Sequence, residues 1–215
     1  MEYSKKQAQT VWKAEMNFLL KSSGLAKKYF SPIELKVRKH DREVFEYLED
    51  IRGNVVEHVQ AGLNILLLSS EVGNGKTSWA VKLMQRYFAE IAIGNGTKVS
   101  GKFISVPTML ADLSDYNFRS TNDFRKMIEE IKAADIVVWD ELGGGSLNKV
   151  NYPLFYSLIN ERIDSGLSNI YTTNFNYEQL TENLGQRLSS RIVHLSACCE
   201  LFSTNVRGMD LDEID

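Results

Sequence analysis

The sequence is poor in the residues that build disulfide or metal scaffolds. Its 215 residues include two cysteines, Cys198 and Cys199, adjacent in the chain, and three scattered histidines, His40, His58 and His194. Two neighbouring cysteines make no disulfide framework and offer no CxxC pair for zinc. The start, MEYSKKQAQT, holds no apolar run fit for a signal peptide. No window of ~18 residues is continuously apolar, so no membrane span is expected. Internal repeats and low-complexity tracts are also absent. These absences predict a reduced, cytoplasmic protein without a structural metal.

What is present is the composition of a folded domain. Apolar residues make up 43% and charged residues 25%, which excludes a wholly disordered or collagenous chain. Length predicts one domain with a short appendage. The formal charge is −3, but residues 1–40 carry nine Lys/Arg against three acids, leaving −9 for the rest. Such a basic arm is either a separate contact surface or a solvated helix face. A balance of −3 argues against strong nonspecific DNA binding by one chain.

Ala8, Trp12, Met16, Leu19 and Leu20 fall on one face of a first helix, which Ser22-Ser23-Gly24 ends. That face has no obvious core to join, so residues 1–40 are read as a partner-binding helical segment and 41–215 as the main domain. A second helix is expected from Asp41, as N-cap, to about Val59. Short apolar runs then alternate with helical patterns. Strands are expected at 64–69, 102–106, 135–140 and 169–173, and helices at 76–93, 152–163 and 179–193, with short helices over 107–133. This alternation predicts an α/β fold, a parallel sheet with helices on both faces. The acidic tail 210–215 is expected to lie outside it.

The strongest chemical signal is Ser70-Glu-Val-Gly73-Asn74-Gly75-Lys76-Thr77-Ser78, between a buried strand and a helix. Glycines let the backbone turn its N–H groups inward around a phosphate, and the helix N-terminus adds partial positive charge. Lys76 would reach the β- and γ-phosphates and Thr77 would ligate Mg²⁺. Ser70 stands where this motif usually begins with Gly. The second signal is the apolar run Ile136–Trp139 ending in Asp140-Glu141. Strand ends of open parallel sheets are where ligands sit, so Asp140 would hold Mg²⁺ and Glu141 would act as general base. Asn174 ends the next polar-tipped strand, Asn169-Ile-Tyr-Thr-Thr-Asn174; it either positions water or merely forms a turn. Arg187 and Arg191 are i, i+4 neighbours, either poised for phosphate oxygens or part of a solvated, ion-paired face.

Gly73-Asn-Gly-Lys-Thr-Ser-Trp79, Trp139-Asp-Glu, Ser168-Asn-Ile-Tyr-Thr-Thr-Asn174 and Leu184-Gly-Gln-Arg-Leu-Ser-Ser-Arg-Ile192, in this order, resemble the AAA+ ATPases. Within them the likeness is to DnaC-type (DnaI-like) replicative helicase loaders, the short phage-borne kind, over residues 41 to 208. The resemblance implies a P-loop AAA+ core. Lys76 and Thr77 match Walker A, Asp140 and Glu141 Walker B, and Asn174 sensor 1. Arg191 matches the arginine finger that completes a neighbour's site, with Arg187 as fallback. It further implies ATP/ADP and Mg²⁺ as cofactors, self-association through Arg191, a hexameric replicative helicase as partner and single-stranded DNA as the site of loading. No C-terminal helical lid is expected, and the N-terminal segment lacks the zinc-ligand cysteines of some loaders. Tyr116, Phe118 and Arg119 are either DNA-stacking candidates or core. An IstB-like transposition ATPase and a nucleotide-binding adaptor that hardly hydrolyses ATP are the competing readings.

Overall fold

The computed structural model describes residues 5–36, 39–96, 98–145 and 147–202, with the side chain of Tyr116 outside that description. The tail at 210–215 lies outside the described residues. Among the described residues, five strands form one parallel sheet in the order β2-β3-β4-β1-β5. They are β1 (Asn64–Leu68), β2 (Gly101–Ser105), β3 (Ile136–Asp140), β4 (Ser168–Thr173) and β5 (Ala197–Glu200). The helices are α1 (Lys5–Ser22), α2 (Arg42–Gly53), α3 (Val55–Gln60), α4 (Lys76–Ile91), α5 (Val106–Ser114), α6 (Tyr116–Arg119), α7 (Asn122–Ala133), α8 (Tyr152–Asp164), α9 (Tyr177–Leu184) and α10 (Gln186–His194).

Strand side chains point alternately to the two faces. Ile65, Leu67, Ile136, Val138 and Ile170 join the core under α1 to α4. Leu66, Val137, Trp139 and Tyr171 join the opposite core, shared with α5, α7, α8, α9 and α10. Both faces are therefore covered, which explains the unbroken apolar runs of β1 (65–68) and β3 (136–139). Arg162 is buried among α7, α8 and β4. It donates to the carbonyls of Ile131, Ala134 and Ser168 at 2.6–2.7 Å and to Asn169 Oδ1 at 2.9 Å. Burial lowers its pKa to about 10, so it remains a cation at neutral pH.

Several boundaries differ from expectation. The helix expected from Asp41 is two, α2 and α3, separated at Asn54. Asp41 stands at the N-cap of α2, yet its carboxylate accepts the Phe202 N–H at 2.7 Å instead of capping the helix. The last helical stretch breaks at Gly185, whose φ of 77° ends α9 and starts α10. β5 was not expected: Ala-Cys-Cys-Glu is short and carries no alternation, and only its pairing with β1 defines it.

The largest correction concerns residues 1–40. The apolar face of α1 does have a core to join: Leu19 and Leu20 are buried against the sheet-side cluster. Burying two leucines contributes roughly 1.5–3 kcal/mol each. Trp12 Nε1 donates to Ala89 O on α4 at 2.9 Å, and Glu15 accepts the N–H groups of Gly94 and Asn95 at 3.1 Å. After α1 the chain shields the sheet edge: Phe103 N donates to Ser23 O at 2.7 Å, next to Lys102 Nζ on Ser22 O. It then crosses α4, where Gln85 holds the Tyr29 and Ser31 carbonyls. Apolar content, not charge, decides where this segment sits.

Candidate functional site

The C-terminal ends of β1, β3 and β4 open into a cleft of about 330 Å³. Strand ends in such sheets gather loops and helix N-termini, so polar groups from distant sequence converge there. One wall is the turn from β1 into α4. Gly73 and Gly75 adopt φ of 87° and 99°, and the second ends the turn as the N-cap of α4. Residues with a Cβ rarely take these angles. Gly73, Asn74, Gly75, Lys76, Thr77 and Ser78 all line the cleft. Ser70 does not; it is exposed at the start of the turn. Its φ is not positive, so a side chain costs no strain there, and this accounts for serine in the usual glycine place.

Lys76 is 7% exposed. Its Nζ donates to Glu71 O at 2.8 Å and Asn74 Oδ1 at 3.1 Å. Desolvation lowers its pKa to about 8, opposed by the charges of Asp140 and Glu71. Asn74 in turn donates to Ser69 Oγ and to Leu201 O beyond β5, so the turn is anchored to the sheet edge.

Asp140 Oδ1 accepts from Thr77 Oγ1 at 2.8 Å and from Thr172 Oγ1 at 2.7 Å. The first pair fits a divalent ion. Two neighbouring ligands of an octahedral Mg²⁺, with bonds of ~2.1 Å at a right angle, lie about 3 Å apart. Among the described residues no group of three or more His, Cys, Asp or Glu could hold a metal alone. A cation here would be held by one carboxylate, one hydroxyl and phosphate oxygens.

Glu141 is exposed and faces the cleft. Its φ of 60° is the one positive value among described non-glycine residues. Such backbone costs of order 1–3 kcal/mol and persists only where the surroundings over-determine it. Here Thr172 supplies the constraint. Its Oγ1 accepts the Glu141 N–H at 3.0 Å, and its carbonyl accepts the Leu142 N–H at 2.7 Å. Thr172 thus ties both acids to β4 and also lines the cleft. Sequence reasoning passed over it in favour of its neighbour Asn174; its signal was a polar residue at a position of a buried strand facing the two acids. Asn174 is exposed on the cleft wall. Two more lining residues, Tyr29 and Leu35, come from the N-terminal segment. Leu35 Cδ2 lies 3.6 Å from where a Gly75 Cβ would sit. Nothing in their local sequence marks them.

Arg187 and Arg191 do not line this chain's cleft. Arg191 forms an ion pair with Asp164 at the end of α8. Arg187 is exposed and makes no ion pair among the described residues. Phe118 is half-buried and packs edge-on to Phe124 at 5.8 Å, which places it with the core. Burial raises both thiols, Cys199 to about 12, so neither supplies a thiolate near neutral pH.

A family model described as IstB-like ATP binding protein matches residues 36–208. The replicative helicase loader DnaC of Escherichia coli K12 is 23% identical over 150 residues, 68% of this chain and 54% of the relative. The chain thus spans about half the length of the curated relatives it matches. A crystal structure of the DnaC helicase loader superposes with a TM-score of 0.68 at 18% identity, covering 82% of this chain and 99% of that one. The DnaI crystal structure gives 0.67 at 19%, covering 86% and 95%. These likenesses establish the P-loop AAA+ fold.

Proposed function

The chain belongs to the IstB-like ATP-binding protein family, and from that premise we propose that it is an ATP-hydrolysing loader of a hexameric replicative helicase onto single-stranded DNA. The observation that carries the nucleotide chemistry is the shared hydrogen-bonded corner of Thr77, Asp140, Thr172 and Glu141, beside buried Lys76. ATP enters with its phosphates along residues 73–78 and its base toward Tyr29 and Leu35. Lys76 exchanges its bonds to Glu71 O and Asn74 Oδ1 for β/γ-phosphate oxygens. Thr77 and Asp140 would hold Mg²⁺, which would supply positive charge against the phosphates. Glu141 takes a proton from the attacking water, and Asn174 orients that water. The products are ADP and phosphate.

Arg191 lies away from its own chain's cleft, which suits a residue that acts on a neighbouring subunit. To do so it must leave Asp164. Residues 1–40 provide the helicase contact, without Leu19, which is fully buried in the domain core. The DnaC relative supports the helicase partner, and an assembly of subunits would carry single-stranded DNA along its inner side. The family description favours a second reading, a transposition ATPase acting with a transposase on duplex DNA. The test is copurification of the full chain with the hexameric helicase of its host, with ATP turnover measured with and without single-stranded DNA. Helicase retention and DNA-stimulated turnover are expected. Retention of a transposase alone overturns the loader reading, and helicase retention without turnover leaves a nucleotide-dependent adaptor.

A further inference from the structure

A second cavity, of about 460 Å³, lies between α1, α4 and residues 30–33 and shares no lining residue with the nucleotide cleft. Its floor is Trp12, Met16, Leu20, Phe30 and Ile33. The indole of Trp12 has already given its one donor to Ala89 O, so it offers the cavity only apolar surface. Lys13, Arg52, Lys82 and Arg86 stand around this floor, and among the described residues no Asp or Glu lines the cavity. Two carboxylates lie outside it. Glu49 pairs with Arg52 at 2.5 Å and Lys82 at 2.6 Å, and Glu90 pairs with Arg86. Four cations against these two acids leave an excess of positive charge, and exposed Lys13 has no ion pair among the described residues.

We propose that this groove docks an acidic amphipathic helix of a protein partner, its apolar stripe on the floor and its carboxylates on the basic rim. Each half of the groove excludes a simpler occupant. A nucleic-acid backbone would satisfy the cations and leave the apolar floor wet. A wholly apolar ligand would cover the floor and desolvate the cations without compensation, which is costly. A helix with anchors at i, i+3, i+4 and i+7 and acids on its flanks satisfies both. The inference goes beyond the proposed function: it concerns a surface separate from the nucleotide and holds whether the partner is a helicase or a transposase.

The probe is a fluorescein-labelled synthetic peptide of ~18 residues with leucine at the anchor spacing and glutamate elsewhere, titrated into the full chain and followed by anisotropy. Saturable binding is expected. It should weaken ~10-fold or more when the peptide's glutamates become glutamine or its leucines become serine, each step being ~1.4 kcal/mol. The double variant Lys13→Glu with Arg86→Glu should weaken it similarly and gain affinity for a lysine–leucine peptide. ATP binding by that variant should be unchanged, which also reports an intact fold. No saturable binding, or binding indifferent to the charge reversal, overturns the proposal. So does a ~10-fold gain in peptide affinity when Asp210, Asp212, Glu213 and Asp215 are neutralised in the full chain, since the chain's own tail is then the occupant. Concentration-dependent self-association that the charge reversal abolishes also overturns it, in favour of a second copy.

Discussion

Lys76 makes nucleotide affinity a titration that can be worked out from the structure. Its pKa near 8 in the ligand-free chain reflects desolvation at 7% exposure. A bound triphosphate places negative charge on the ammonium and returns its pKa toward or above the ordinary lysine value of about 10.4. Between the two values, binding must take up a proton, so affinity falls as pH rises. The unprotonated fraction gives a factor of about 1.1 at pH 7 and about 11 at pH 9, a loss of ~10-fold or ~1.4 kcal/mol. The terminal phosphate, with its second pKa near 6, stays ionised throughout. Isothermal titration with ATP at fixed Mg²⁺ over pH 7–9 reads this directly. Lys76→Arg is the control: a guanidinium keeps its charge, so its profile should be flat whatever its absolute affinity. A flat wild-type profile, or an equal slope in Lys76→Arg, refutes the reasoning. The same shift has a stability consequence of defined sign. Between pH 8 and the unfolded value the unfolded chain binds more protons, so ligand-free stability rises with pH there. Lys76→Met should raise stability at pH 7 by as much as about 3 kcal/mol while abolishing ATP binding.

Glu141→Gln should keep ATP binding and lose ~10²-fold or more in hydrolysis, measured by phosphate release, whereas Glu141→Gly should lose hydrolysis and gain ~1 kcal/mol in thermal unfolding because glycine accepts its positive φ. Thr172→Val strands the Glu141 N–H and removes a donor from Asp140, so it should cost roughly 1–3 kcal/mol and lower hydrolysis, with ATP affinity changed less. Leu19→Ser should destabilise the whole domain by roughly 2–5 kcal/mol in denaturant unfolding, since the side chain is fully buried; unchanged stability would restore the detached-arm reading. Mixing inactive Arg191→Ala with inactive Glu141→Gln should restore part of the turnover if the site is shared between chains. Asp164→Asn should increase assembly-stimulated hydrolysis with little change in stability, a surface ion pair being worth ~0–1 kcal/mol.

What could be read from the sequence was set by how local each determinant is. The turn at 73–78 is contiguous: the glycines, the lysine and the helix start all lie within one stretch, and the structure keeps them on one wall. The strands β1 and β3 announce themselves because burial on both faces leaves no polar position inside their apolar runs, whereas β4 has only Ile170 and Tyr171 between polar residues that hydrogen bonds satisfy. β5 escapes because four residues without alternation differ from a turn only through their partner β1. The break at Gly185 is a backbone event inside a sequence with continuous helical periodicity. Arg162 looks like any surface arginine until three carbonyls from two other elements surround it.

The N-terminal segment shows why charge was the weaker guide. Nine cations in forty residues suggested something held away from the acidic body. Yet a helix can present lysines to water on one side and bury Leu19 and Leu20 on the other, and the apolar side decides the docking. Once α1 is fixed on α4, the chain that follows has a set course: past the edge of β2, across Gln85, and down to the phosphate turn. Tyr29 and Leu35 reach the nucleotide cleft by that course, and Phe30 and Ile33 reach the basic groove. The same short strap therefore forms part of both surfaces. A nucleotide that presses on Tyr29 or Leu35 and a partner that presses on Phe30 or Ile33 act on neighbouring residues of one segment, so linkage between them needs no longer path than this strap.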